Sequence, residues 1–369
     1  MIGLIDKLSG KVFTDLNRFV DGGDAGDEYN YCLPLQDSFV TPKIKKVTIQ
    51  QGEVLSTLVI DLEIRAPIEL AEDRKARSKR KKLIQIRTSA CLYPGIPRVD
   101  FHTEIDNQVK DHRLRVHFPY LNNSFPEFAD HDGHFEVVRR KVGIPTGGTD
   151  WVEDPRPEVP QRMFADISDG QVGMMVANRG LPEVEVLKTG SGEEISITLL
   201  RCVGWLSRDD LSNRKGHAGP FLPTPGAQMQ GNWAFDYSLI PHPGNWDEPS
   251  KNGYPFQHAA NFNCPLKVVE TNKHPGNLET SGSFLIVEPD LFVISAIKQS
   301  QDRTGWLVRG YNISNKELEV KIRLLVDIKK AELVNLAEKA CKPLKPGLDR
   351  RYYFSVLPHE IITIKFYYE

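Results

Sequence analysis

The sequence predicts an all-β protein of sandwich architecture. Three observations carry that prediction. Apolar and polar residues alternate with a period of two in run after run, helical periodicity is nearly absent, and 25 prolines and 28 glycines punctuate the chain. A length of 369 residues exceeds the roughly 250–300 residues at which a single core stops growing, so more than one core is expected.

In chain order, the strand-like runs fall at Val47–Ile49, Leu55–Ile64, Leu83–Thr88, Arg98–Ile105, Arg113–Phe118, Phe135–Arg139 and Gln171–Val176. Each is bounded by Gly, Pro, Asn or Asp, the residues that favour turns. Ile195–Leu200 and Trp233–Ile240 read as two further strands. Near the C-terminus, Leu318, Val320, Ile322 and Leu324 alternate with Glu317, Glu319, Lys321 and Arg323. Ile362, Ile364 and Phe366 alternate with Thr363, Lys365 and Tyr367 in the same way. Such alternation marks antiparallel strands with one buried and one wet face. The polar, turn-rich run 271–283 (TNKHPGNLETSGS) reads as a linker. It divides a β domain at 1–270 from a small sandwich at 284–369. The basic run Arg74–Lys82 is either a polyanion patch or a solvated hairpin tip beside Glu69, Glu72 and Asp73.

Composition excludes several classes. A 40% apolar and 26% charged chain is that of a soluble globular protein, and a net charge of −2 is unlike the strongly basic footprint of a general nucleic-acid binder. No apolar run approaches the length of about eighteen residues that suggests a membrane span. The start, MIGLIDKLSGKVF, lacks the pattern of a signal peptide. Five scattered cysteines without a CxxC pair predict free thiols in a reducing compartment, the cytoplasm by default.

The stretch Leu199–Trp246 is the expected ligand-facing surface. A loop of about thirty residues between two strands is far above the usual length, and long loops are commonly functional. This one carries Trp205 and paired charges, Arg208, Asp209, Asp210 and Arg214. Asp209 and Asp210 are adjacent and would diverge on extended backbone, so they are not the two facing carboxylates of a glycosidase. Flanked by Arg208 and Arg214, they suit either sugar hydroxyls or ion pairs that fix the loop. Trp205, Trp233 and Trp246 suit sugar stacking or anchoring, with anchoring favoured for Trp233 at the start of a strand. His131, Asp132 and His134 place two imidazoles and a carboxylate within four residues, but no nearby Cys completes a common zinc set, and an exposed turn before the strand at Phe135 is the favoured reading of the same letters. His102 and Glu104 share one side of a strand, as an acid–base pair or as a cross-strand polar pair. Phosphate-binding glycine loops and a serine nucleophile elbow are missing from the sequence.

Several stretches together resemble one family. Gly22–Tyr31 (GGDAGDEYNY), preceded by GLIDKLSGKVF, resembles the opening of the β portion of glycoside hydrolase family 38 α-mannosidases. Asp106-Asn107 with Lys110–Pro119 (KDHRLRVHFP) resembles a second run of that portion. Leu199–Trp246 resembles its long loop, in the branch that includes mannosylglycerate hydrolases. The resemblance spans essentially the whole chain. It implies a large super-sandwich of the galactose-mutarotase type followed by a smaller β-sandwich. It implies an α-mannoside or related sugar as ligand, with Arg201, Arg208, Asp209 and Asp210 as candidates for the rim of the sugar site. It also implies that the nucleophile and the zinc belong to a preceding barrel and helical bundle, so no catalytic residue, metal ligand or cofactor is expected in this chain. The barrel would be joined in cis or supplied as a separate chain, and an exposed apolar face would be covered by that partner or by a homo-oligomer. Two other readings are a stand-alone carbohydrate-binding protein, and a sugar epimerase drawing on His102, His117 and Glu104.

Overall fold

The computed structural model describes residues 2–7, 9–120, 126–148, 150–190, 192–276 and 278–368. Asn277 of the expected linker, and Met1 and Glu369 at the expected domain ends, lie outside the described residues. Strands dominate, joined among the described residues by one α-helix, Pro255–Asn263, and one 3-10 turn, Pro225–Gln228. The chain forms two compact units, Met1–His131 with Arg139–Pro265, and Asp132–Val138 with Leu266–Glu369.

The larger unit is built on a nine-stranded antiparallel sheet. Its strand order is Val137–Lys141, Phe128–Asp132, Phe164–Ser168, Val172–Asn178, Gly231–Pro243, Val99–Asn107, Lys81–Leu92, Ser56–Pro67 and Lys43–Gln51. A five-stranded sheet runs Val159–Pro160, Glu183–Thr189, Gly192–Cys202, His112–Tyr120 and Arg18–Gly23. Alternation sets which side chains meet between them. Ile60, Leu62 and Ile64 point inward from Ser56–Pro67, while Asp61, Glu63 and Arg65 face outward. Ile84, Ile86, Phe101 and Ile105 from the large sheet share one core with Leu114, Val116, Phe118, Ile195 and Ile197 from the small one. The core also holds one closed polar chain. Tyr237 Oη lies 2.7 Å from Thr103 and donates to Asn17, and Thr103 meets Thr88 at 2.9 Å.

The strand His112–Tyr120 is buried along its whole length. Its apolar residues face the core, and Arg113, Arg115 and His117 face the other way against Glu158, Glu185 and Glu194. The outer face of the small sheet is therefore polar yet covered. The helix Pro255–Asn263 begins at Pro255, whose missing N–H leaves no hydrogen bond unmade at a first turn. It buries Phe256, Ala259 and Phe262. Nine residues give too short a periodic signal to stand out among alternating strands.

The smaller unit packs a three-stranded sheet, Leu285–Glu288, Leu318–Leu324 and Tyr352–Val356, against a five-stranded one. Val320, Ile322, Phe354, Ile364 and Phe366 lie in its core. On Ile361–Tyr367 the face expected to be wet is partly covered: Thr363 and Lys365 are buried, with Lys365 held by Asp302 and Thr363 accepting from Arg309.

Candidate functional site

The segment Gly22–Tyr31 is an acidic turn, largely buried except at Glu28 and Tyr29, clamped by Arg201 from the strand before the long loop and by Arg214 within it. Gly26 makes the turn: a Cβ there would lie 1.9 Å from the Asn30 carbonyl oxygen. Asp24 Oδ1 accepts the backbone N–H groups of Gly26 at 2.8 Å and Cys32 at 3.2 Å. Asp27 Oδ1 accepts those of Tyr29 at 3.0 Å and Asn30 at 2.9 Å. Both carboxylates are fully buried, and a buried charge is tolerated only when paired.

Arg201 and Arg214 supply the pairing. Arg201, on the strand that leads into the loop, places Nε 3.0 Å from Asp24 Oδ2 and donates to the carbonyls of Asp27 and Glu28. Arg214 forks onto Asp27 and also donates to Asn30 and to the Arg208 carbonyl. Burial raises the pKa of Asp24 against the opposing charge of Arg201. For Asp27 burial pushes the same way, but Arg214 and the backbone amides of Asn30 and Arg208 hold it below the ordinary carboxylate value.

The loop, residues 203–230, folds over this clamp. Trp205 stacks on Phe221 with ring centroids 4.4 Å apart. The Arg208 guanidinium lies 5.2 Å from the Trp205 ring and 5.4 Å from the Phe221 ring. Its fork engages Asp210 at 2.7 and 2.6 Å, which raises the pKa of Arg208 and lowers that of Asp210. Asp209 turns away to His217 at 3.5 Å, so the adjacent aspartates diverge. The structure thus gathers Trp205, Arg208 and Asp210 at the surface above a base formed by Arg201 and Arg214. Asp209 stands beside them, its side chain 63% exposed.

Other singled-out residues lie elsewhere. Trp233 is tied by Nε1 to the Met229 carbonyl at 2.7 Å. Trp246 is buried against Phe164 and Phe256. His102 sits on the outward face of the nine-stranded sheet with Nδ1 2.8 Å from Asp236. His117 belongs to the five-stranded sheet, where burial pushes it down to about 4 beside Glu194. The three side chains of the epimerase reading are therefore divided between two sheets. In the run Arg74–Lys82, Lys75 and Lys79 to Lys82 are exposed, as expected of a solvated tip, but Arg74 and Arg77 are not. Arg77 is buried between Asp21 and Asp37, and Arg74 reaches the Ala25 carbonyl and lies 3.8 Å from Asp210.

Sequence reasoning missed the anchoring acids themselves. Asp21 holds His112 Nδ1 at 2.6 Å as well as Arg77, and Asp24 and Asp27 receive the loop. The usable signal was an excess of acids in a Gly-rich segment, GGDAGDEYNY, with Arg201 and Arg214 available from the strand before the loop and from the loop itself. Among the described residues, no group of three or more His, Cys, Asp or Glu side chains converges to hold a metal.

Comparison with known proteins decides the family. The glycosyl hydrolases family 38 C-terminal domain matches residues 6–211, and the family 38 C-terminal beta sandwich domain matches residues 291–364. The chain belongs to glycosyl hydrolase family 38. A family relative from Halalkalibacterium halodurans, named "Putative mannosylglycerate hydrolase", is 27% identical over 98% of this chain and 39% of its own length. The crystal structure of an alpha-mannosidase from Enterococcus faecalis V583 superposes with a TM-score of 0.81 at 27% identity, covering 99% of this chain and 40% of that one. A second family 38 structure from Enterococcus faecalis gives a TM-score of 0.80 at 26% identity, over 99% and 41%. The chain thus spans about two fifths of the length of the relatives it matches.

Proposed function

We propose that this chain acts as the C-terminal β region of an α-mannosidase, giving a stiff scaffold and part of the rim of the sugar site. A barrel carrying the nucleophile and zinc, in cis or as a separate chain, would complete the enzyme. Residues 1–270 form the super-sandwich in this reading, 271–283 the linker and 284–369 the terminal sandwich. The five free cysteines suit a reducing, cytoplasmic setting. The observation that carries the reading is the clamped loop. Arg201 and Arg214 are committed to holding Gly22–Tyr31, and this fixes the base from which Trp205, Arg208, Asp209 and Asp210 project. Positioning of that kind requires rigid support.

The test is hydrolysis of an aryl α-mannoside. The isolated chain should be silent, and joining it to a family 38 barrel should restore turnover. With the barrel present, Arg208→Ala should raise KM more than it lowers kcat, the signature of a lost binding contact. Turnover by the isolated chain would sink the proposal.

A second reading, a stand-alone carbohydrate-binding protein, draws on the partly exposed Trp205–Phe221 stack beside Arg208. It predicts saturable mannoside binding that weakens in Trp205→Ala, and no binding at millimolar sugar would remove it.

A further inference from the structure

A cleft of about 620 Å³ opens on the outward face of the nine-stranded sheet, away from the core. Its volume falls within the range of small-ligand sites, about 300–1,000 Å³. Strand register explains how it is built. Asp61 stands opposite Arg87, Arg87 opposite Glu104, and Glu104 opposite Ala234. One rung along, Glu63, Gln85, Asp106 and Asn232 are aligned in the same way. Two polar rungs therefore cross four strands, and each ends at a small or uncharged residue on Gly231–Pro243. Ala234 leaves open the space that a longer side chain would fill.

Part of this floor is already fixed. Arg87 donates Nε to Asp61 at 2.7 Å, Lys45 meets Glu63 at 3.0 Å, and Gln108 donates to Asp106. Among the described residues, Gln85 and Asn232 make no side-chain hydrogen bond to another residue, Arg87 donates only its Nε, to Asp61, and Glu104 faces Arg87 across the strands and interacts with it through charge alone. A carboxylate, two amides and the free end of a guanidinium thus face one opening at spacings set by the strands, about 4.7–4.9 Å apart. Planar groups of this kind engage adjacent hydroxyls in pairs. The acids Asp61, Glu63, Glu104 and Asp106 outnumber Lys45 and Arg87 along the lining, so the site disfavours anions.

We propose that this cleft is a second sugar site that takes a neutral pyranose through vicinal hydroxyls held by Glu104, Asn232 and Arg87. It is separate from the loop rim and goes beyond the function proposed above. The site does not require a barrel, so its failure and the failure of that reading can be told apart.

The experiment is a titration of the full chain with methyl α-mannopyranoside, followed by NMR shifts of backbone amides, with glycerate as the anionic comparison. Saturable shifts in Gln85–Arg87, Glu104–Asp106 and Asn232–Ala234 are expected with the mannoside and not with glycerate. Glu104→Ala should weaken binding about tenfold or more, the scale of a lost hydrogen bond to a charged group. Ala234→Phe, which fills the opening from an exposed position, should abolish it. Glu104 and Ala234 both face solvent, so each variant should fold, and a retained amide spectrum will establish that. Absence of saturable shifts would overturn the proposal. So would binding that survives Ala234→Phe, or binding that is lost in Trp205→Ala while Glu104→Ala leaves it intact.

Discussion

Arg214 and Asp27 are buried together, with side chains 1% and 0% exposed. Removing one partner of such a pair leaves the other charged and unsolvated, which costs about 3–5 kcal/mol. Arg214→Ala should therefore lower the unfolding free energy of the larger unit by that order, measured by urea unfolding at neutral pH. A loss below about 0.5 kcal/mol, the usual effect of a surface substitution, would show that the clamp adds nothing to stability. His112 gives a test of opposite sign with pH. Burial opposes its charge, but the adjacent Cys202 and Asp21 raise its pKa from 6.5 to about 10. A folded pKa above the unfolded one stabilises the protein fully below 6.5, and that contribution is lost as pH rises through about 10. Stability should thus decline across pH 6.5–10, and His112→Gln, less stable at neutral pH, should show a flatter decline. An unchanged slope in His112→Gln would mean that another group titrates there.

At the scale of elements, the segment Gly22–Tyr31 is set by backbone room as much as by charge. Gly26 has no space for a methyl group, since Asn30 O, Asp24 Oδ1 and Cys32 N would all lie within 3 Å of it. Gly26→Ala should therefore open the turn, release Asp24 and Asp27 together, and lower Tm more than Gly276→Ala, where nothing lies within 4 Å of a Cβ. Equal melting temperatures for the two variants would refute the steric account. This segment also shows what a sequence reveals and what it hides. Its letters were conspicuous, and the strands of the neighbouring sheets were legible because alternation records which face is buried. Ile60, Leu62 and Ile64 lie inward as their spacing predicts. Pairing between Asp27 and Arg214 was hidden, because 187 residues separate them and no periodicity links the two. The short helix Pro255–Asn263 was hidden for a different reason: a single buried stripe of Phe256, Ala259 and Phe262 resembles a loop with apolar contacts. Burial of Lys365 was hidden because Asp302, which holds it, arrives from a distant turn.

For the whole molecule, the clamp leaves apolar side chains at the surface around it. Tyr29, Leu35, Phe39, Phe221 and Leu222 are each more than half exposed. Contacts place several of them beside the clamped segment. Tyr29 abuts Gly219, Phe39 lies against Gly22, and Phe221 stacks on Trp205. Scattered exposed apolar residues are ordinary, but several of them beside a rigid polar base suit an interface. Because the chain spans only about two fifths of its relatives, the proposed barrel is the natural cover, and a second copy of the chain would serve when the barrel is absent. The isolated chain should then self-associate as its concentration rises, with mass measured by light scattering after size exclusion. Leu35→Lys should shift it towards monomer without lowering Tm, since Leu35 is 73% exposed and supports no core. Adding a family 38 barrel should compete with self-association for the same surface. A wild-type chain that stays monomeric at high concentration and does not bind the barrel would show that these side chains are solvated surface, and the scaffold role would lose its physical basis.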